Sequence, residues 1–184
     1  MSLRLLRPEG ASGLMHRMTI PDFALRNTSG GTLRLSEYRK NSPVLLAFFR
    51  RDCPTCRLAL PFLERLYRRH GRSGVHFLGI AQEGRQEAAA FAKELGIMMP
   101  LVLEEAPGWE ASTACGVTEL PAVLLLDAEG SIRTSLSGFS KRDYQQLADS
   151  LAQISGKPPE PLFAALASTP ESAAGSRSRG THSP

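Results

Sequence analysis

One stretch constrains this chain more than any other. A run that is apolar at every position, Val44-Leu45-Leu46-Ala47-Phe48-Phe49, leads through Arg50-Arg51-Asp52 into two cysteines spaced C-x-x-C, Cys53 and Cys56, and then into a helical pattern. An unbroken apolar run of this length reads as a strand covered on both faces, so the cysteines sit where a buried strand hands over to a helix. At a helix N-terminus the unpaired backbone N–H groups and the positive end of the macrodipole favour a thiolate over a thiol, which draws the first cysteine's pKa down toward neutrality. Cys53 is therefore the candidate nucleophile. Cys56, one turn further on, faces the same side and can attack a mixed disulfide at Cys53 from within the molecule.

Two other uses of the same spacing compete with a redox dithiol. A structural zinc needs four ligands, usually two such pairs or a pair with histidines. This chain has one pair, with Cys115 and the histidines His16, His70, His76 and His182 scattered outside metal spacing, so no metal ligand set is assigned. Two inert buried cysteines are the other alternative, against which stand the strand-to-helix placement and the flanking arginines.

The 184 residues suffice for one domain with its own core plus tails, with no need of a disulfide scaffold. The formal charge of +4 is concentrated at the ends, leaving only +1 on residues 21 to 155, which is not a nucleic-acid footprint. No apolar run reaches the length of a membrane span. The leader Met1-Ser2-Leu3-Arg4-Leu5-Leu6-Arg7-Pro8 lacks the continuous apolar region of a secretory signal. As written the chain reads as cytoplasmic; a start at Met15 or Met18 behind a different upstream segment would make it periplasmic or otherwise exported.

Taken in order, residues 1–19 read as a flexible leader. Pro21 to Leu25 and Thr32 to Leu35 flank Asn27-Thr28-Ser29-Gly30-Gly31 as a hairpin. After the cysteines, Ala59, Phe62, Leu63 and Leu66 form one apolar helical stripe with Glu64 and the arginines on other faces; Pro61 lies inside it, where a kink is expected. Val75 to Ala81 is the next buried strand, Ala88 to Leu95 a helix closed by Gly96, Leu101 to Leu103 a strand, and Trp109 to Cys115 a short helix. Ala122 to Leu126 and Ser131 to Leu136 form an antiparallel pair, and Ser140 with Asp143 caps a last helix. Alternating strands and helices with hairpins at both ends predict an α/β fold with a mixed central sheet. Residues 156–184 turn to Pro, Ser, Ala, Gly and Thr and read as a disordered tail, with docking of its Leu162-Phe163 patch as the alternative.

Cys53-Pro54-Thr55-Cys56 at a strand–helix junction, Pro61 five residues beyond, and Thr118-Glu119-Leu120-Pro121 opening a strand together resemble the thioredoxin fold. The hairpin at 20 to 35, the insert around 85 to 103 and the Leu120 to Gly130 run narrow the resemblance to the redoxins, and within them to the TlpA-like thiol–disulfide oxidoreductases that neighbour the AhpC/TSA peroxiredoxins. It covers residues 20–155. The resemblance implies a thioredoxin-like fold with helices flanking a mixed sheet and an N-terminal hairpin extension. It also implies catalysis by Cys53 and Cys56 without a cofactor, a cis-proline at Pro121, and a partner groove shaped by Pro121, Leu120, Pro54 and Thr55. Its partners would be a protein disulfide and an external dithiol donor or acceptor.

The chain also departs from that pattern. Many relatives carry tryptophan before the first cysteine, where this chain has Asp52. Its carboxylate raises a neighbouring thiol's pKa, while Arg50, Arg51 and Arg57 oppose it if their heads come near. The polar residue that such proteins bury in the preceding strand is replaced by Ala47. Glu83, just past the Val75 to Ala81 strand, is the candidate for proton transfer, against a reading as a solvated surface glutamate. Cys115 reads as a small buried hydrophobe. Two further functional classes stay open: a peroxiredoxin-like peroxide reductase, whose threonine or serine and proline before the cysteine are here Arg50 and Leu46, and a non-catalytic redox-sensing binding module. The motif alone does not set redox direction, since potentials of such dithiols run from about −270 to −120 mV.

Overall fold

The computed structural model describes residues 18–163 and 168–180. Its centre is the strand Val44–Phe49 (β3), in which every residue is buried to 1% relative exposure or less. Such burial requires a paired neighbour on each edge and side chains on each face. The edges are met by His76–Ala81 (β4), parallel, and Ala122–Leu126 (β7), antiparallel. Beyond β4 come Leu101–Leu103 (β5), parallel, and then the hairpin of Ala24–Asn27 (β1) and Thr32–Arg34 (β2); beyond β7 comes Ile132–Ser137 (β8). The seven-stranded order is β2-β1-β5-β4-β3-β7-β8, a mixed sheet of the kind the alternating pattern predicts.

The hairpin turn is built from its own residues. Asn27 Oδ1 accepts from the backbone N–H groups of Ser29 (3.0 Å) and Gly31 (2.9 Å), and Gly30 takes a φ of +95° that a side chain would oppose. The sheet is flanked by the helices Leu35–Arg39 (α1), Pro54–His70 (α2), Arg85–Leu95 (α3), Glu110–Ala114 (α4) and Lys141–Ser155 (α5). Helix α2 runs through Pro61 and buries Ala59, Phe62, Leu63 and Leu66. Ser140 caps α5, its hydroxyl accepting from the Asp143 N–H at 3.3 Å.

Glu64 departs from the expected solvated face of α2. It is buried because the loop after α3 lays its backbone on it: the carboxylate accepts from Met98 N (2.9 Å) and Met99 N (3.1 Å) and pairs with Arg68 at 2.8 Å. Of residues 1–19, expected to be a flexible leader, 1–17 lie outside the described residues. Thr19 bridges Ser131, and Ile20 N–H donates to Gly130 O at 2.9 Å, so ordered pairing starts ahead of the hairpin.

The expectation of a disordered tail is corrected over 156–163 and 168–180; residues 164–167 and 181–184 lie outside the described residues. Leu162 is 3% exposed, and the Phe163 ring lies 4.8 Å from Phe62 and 5.9 Å from Phe139. Further on, Ser172–Ala173 (β10) pairs antiparallel with Phe139–Ser140 (β9), and Ser176–Arg177 (β11) pairs antiparallel with Glu119–Leu120 (β6). Leu162 and Phe163 dock through their side chains, whereas residues 172–173 and 176–177 pair their backbone with strand edges the domain leaves open, which needs almost no apolar side chain and so leaves no trace in composition.

Candidate active site

The apolar run carries β3 through the core, and Pro54, whose missing N–H costs nothing at a first helical position, starts α2 immediately after Cys53. Cys53 is consequently the N-cap of α2. Its Sγ accepts the backbone N–H of Cys56 at 3.0 Å, taking up one of the orphan donors of the helix end. The two cysteines are joined as a disulfide with Cα atoms 5.2 Å apart, and both are fully buried.

Against this dithiol lies β6. The Leu120–Pro121 peptide bond is cis, and the Leu120 carbonyl oxygen is 3.5 Å from Cys53 Sγ. Leu120 thus lies against Cys53, with Pro121 next to it in the chain and Pro54 and Thr55 between the two cysteines. Thr55 is nearly buried, and its hydroxyl donates to the carbonyl of Ala174 in the tail at 2.5 Å.

Arg51, Asp52, Arg57 and Glu83 also come together, lining one open cleft with Gly84, Glu87 and Arg179. Asp52 and Arg57 are paired with charged residues outside these four. Asp52 pairs with Arg50 and lies 3.6 Å from Arg179, while Arg57 pairs with Glu94 and sits 5.0 Å above the Phe91 ring. Glu83 is half-buried, not solvated. Its Oε2 accepts the Arg51 backbone N–H at 3.1 Å, and its buried Oε1 has no hydrogen-bond partner among the described residues. Burial pushes its carboxyl above the ordinary value, with Asp52 and Glu87 adding to the rise and the Arg51 N–H and Arg179 opposing it.

Sequence reasoning missed a polar group under the rim. Gln82 is fully buried, and its amide Nε2 donates to Ser112 Oγ and Ser178 Oγ, each at 2.7 Å, and reaches Glu104 at 3.5 Å. Glu104, 1% exposed, also accepts the Ser112 N–H at 2.8 Å. The only signal was a glutamine directly after the buried run Phe77 to Ala81. Cys115 is a buried free thiol, and burial, with Glu104 nearby, pushes its pKa up to about 12.

Comparison with known proteins agrees with this geometry. Residues 17–135 match the AhpC/TSA family. The thiol-disulfide oxidoreductase ResA of Geobacillus thermodenitrificans is 30% identical over 135 residues, covering 72% of this chain and 76% of the relative. The thioredoxin-like protein YneN of Bacillus subtilis is 27% identical over 142 residues, 74% of this chain and 81% of that protein. Among solved structures, the thioredoxin domain of a thiol-disulfide oxidoreductase from Bacteroides vulgatus superposes with a TM-score of 0.64 at 18% identity, over 73% of this chain and 96% of that one, a likeness of fold. With its C-x-x-C pair at disulfide distance on a thioredoxin-like sheet, the chain belongs to the AhpC/TSA family, among its thioredoxin-like redox enzymes.

Proposed function

We propose that the chain is a thiol–disulfide oxidoreductase acting on protein disulfides, with residues 20–155 carrying the chemistry. The observation that supports this reading best is the Cys56 N–H held on Cys53 Sγ at the N-cap of α2, which stabilises negative charge on that sulfur and none on Cys56. In the reducing direction the Cys53 thiolate attacks one sulfur of a partner disulfide. The partner's S–S bond breaks, a Cys53–partner bond forms, and the first partner sulfur leaves as a thiolate and takes a proton. Cys56 then loses its proton, for which Glu83 is the candidate base, and attacks Cys53 Sγ. The mixed disulfide breaks, the second partner sulfur leaves, and two electrons have passed to the partner as the Cys53–Cys56 disulfide forms. An external dithiol reverses the last state by the same exchange.

Leu120, Pro121, Pro54 and Thr55 form the groove for an extended stretch of the partner. Among the described residues no helix is long and apolar enough to cross a membrane. A measured potential near about −270 mV fits a cytoplasmic reductant, and one near about −120 mV an exported oxidant. The test of function is Cys56→Ser. An oxidoreductase accumulates mixed disulfides between Cys53 and partner proteins, visible on non-reducing gels; a peroxide reductase stalls instead as a Cys53 sulfenic acid, and a binding module changes in neither way.

A further inference from the structure

The tail does not pair with just any edge. Strand β11 lies antiparallel to β6, Ser176 opposite Leu120 and Arg177 opposite Glu119, on the segment whose Leu120 carbonyl touches Cys53 Sγ. The contact is extended from both ends. Thr55, between the cysteines, donates to Ala174 O at 2.5 Å, and Ser178 N–H donates to Thr118 O at 2.9 Å. Arg50 Nη1 donates to Arg177 O at 3.3 Å, Arg179 N–H donates to Gln82 Oε1 at 2.9 Å, and the Arg179 guanidinium is 3.6 Å from Asp52. Between Ala174 and Ser176 the backbone runs so close that a Cβ on Gly175 would stand 2.7 Å from the Leu120 carbonyl oxygen. With this segment in place Cys53 and Cys56 have no exposed surface.

We propose that residues 172–179 are a tethered occupant of the partner groove, so that the enzyme reacts with a partner only when this strand is displaced, and that the strand is a template for what the groove accepts. The partner segment it describes is extended, adds as an antiparallel strand to 118–120, has small residues where Ala174-Gly175-Ser176 lie, and carries a basic side chain further on to meet Asp52. The inference rests on the oxidoreductase reading. Displacement is feasible because the occupant anchors by a short ladder and by small side chains that bury little apolar area. Attachment to the same chain offsets that weakness by raising the local concentration of the strand.

The test uses full-length protein with two single substitutions that spare every residue of the dithiol and groove. Gly175→Val places a branched side chain against the Leu120 carbonyl, and Ser178→Pro removes the N–H that Thr118 accepts. In the reduced proteins, site-resolved mass spectrometry follows alkylation of Cys53 by iodoacetamide. If the groove is open less than one time in ten, both variants alkylate at least about tenfold faster than the parent. A synthetic peptide of residues 171–180 then slows the Gly175→Val protein, whereas the same peptide carrying valine at position 175 does not. Equal alkylation rates in parent and both variants, alongside an intact reversible two-thiol transition, overturn the tail assignment and leave the oxidoreductase reading standing. Equal potency of the two peptides overturns the template. Loss of any reversible two-thiol transition in parent and variants alike overturns the oxidoreductase reading and this one with it.

Discussion

The backbone N–H of Cys56 points at Sγ of Cys53 from 3.0 Å, while the Cys53 N–H points back to the carbonyl of Arg50. One cysteine therefore receives a helix-end donor and its partner, among the described residues, receives none, which assigns the roles unequally although both are equally buried. In a Cys56→Ser protein, Cys53 alkylation is expected to reach half its maximal rate below about pH 8.5, where an ordinary cysteine titrates. The reciprocal Cys53→Ser protein should react more slowly and titrate later. The check is the alkylation rate as a function of pH for each single-cysteine site.

Glu83 carries a sign that can be tested. Its folded pKa lies above the ordinary 4.5, so between the two values the folded state holds the proton and the unfolded state does not. Its contribution to stability is complete below the ordinary value and is lost as pH rises through the folded one. Glu83→Gln should therefore match the parent in acid and exceed it at neutral pH, measured as the denaturant midpoint at each pH. If Glu83 is the base for Cys56, the same variant slows release of the mixed disulfide by about tenfold or more and flattens its pH profile.

His70 has the opposite sense. It is 1% exposed with Nδ1 2.7 Å from Ser155 Oγ, and burial, helped by Arg69 and Lys157 and opposed by Glu160, lowers its pKa from 6.5 to about 4. Within that window the unfolded state binds the extra proton, so stability is present above the ordinary value and falls as pH drops toward the folded one. Between about pH 7.5 and about pH 5 the parent should lose on the order of 1–2 kcal/mol that a His70→Gln protein does not lose. Urea unfolding of both proteins at the two pH values decides it.

Leu162 lies beyond the last helix, yet it is 3% exposed, with its N–H donating to Gln145 Oε1 at 2.7 Å and its carbonyl accepting from Arg65 at 2.9 Å. Leu162→Ala should cost about 2–4 kcal/mol, as for a core leucine, and not the few tenths expected of a residue in a loose tail. Chemical denaturation against the parent measures the difference.

Much of this protein was determined locally and could be read from its sequence. Val44–Phe49 is apolar at every position because it is covered on both faces; Ala59, Phe62, Leu63 and Leu66 recur at the helical period; Ser140 and Asp143 mark a helix start. The dithiol was legible for the same reason, since a helix N-cap is set by neighbours a few residues away. What the tertiary structure alone decided depends on groups distant in the chain. Glu64 is buried because the backbone of Met98 and Met99 reaches it, Gln82 because Ser112 and Ser178 arrive from elsewhere, and Glu83 is half-buried where the Arg51 backbone N–H meets it. The tail over residues 172–177 is the clearest case. Its order comes from backbone N–H and carbonyl groups that every residue carries, so nothing in Ala174-Gly175-Ser176 distinguishes a free end from a strand seated on Glu119–Leu120. Only the fold, by leaving that edge open beside the Cys53–Cys56 pair, makes the difference.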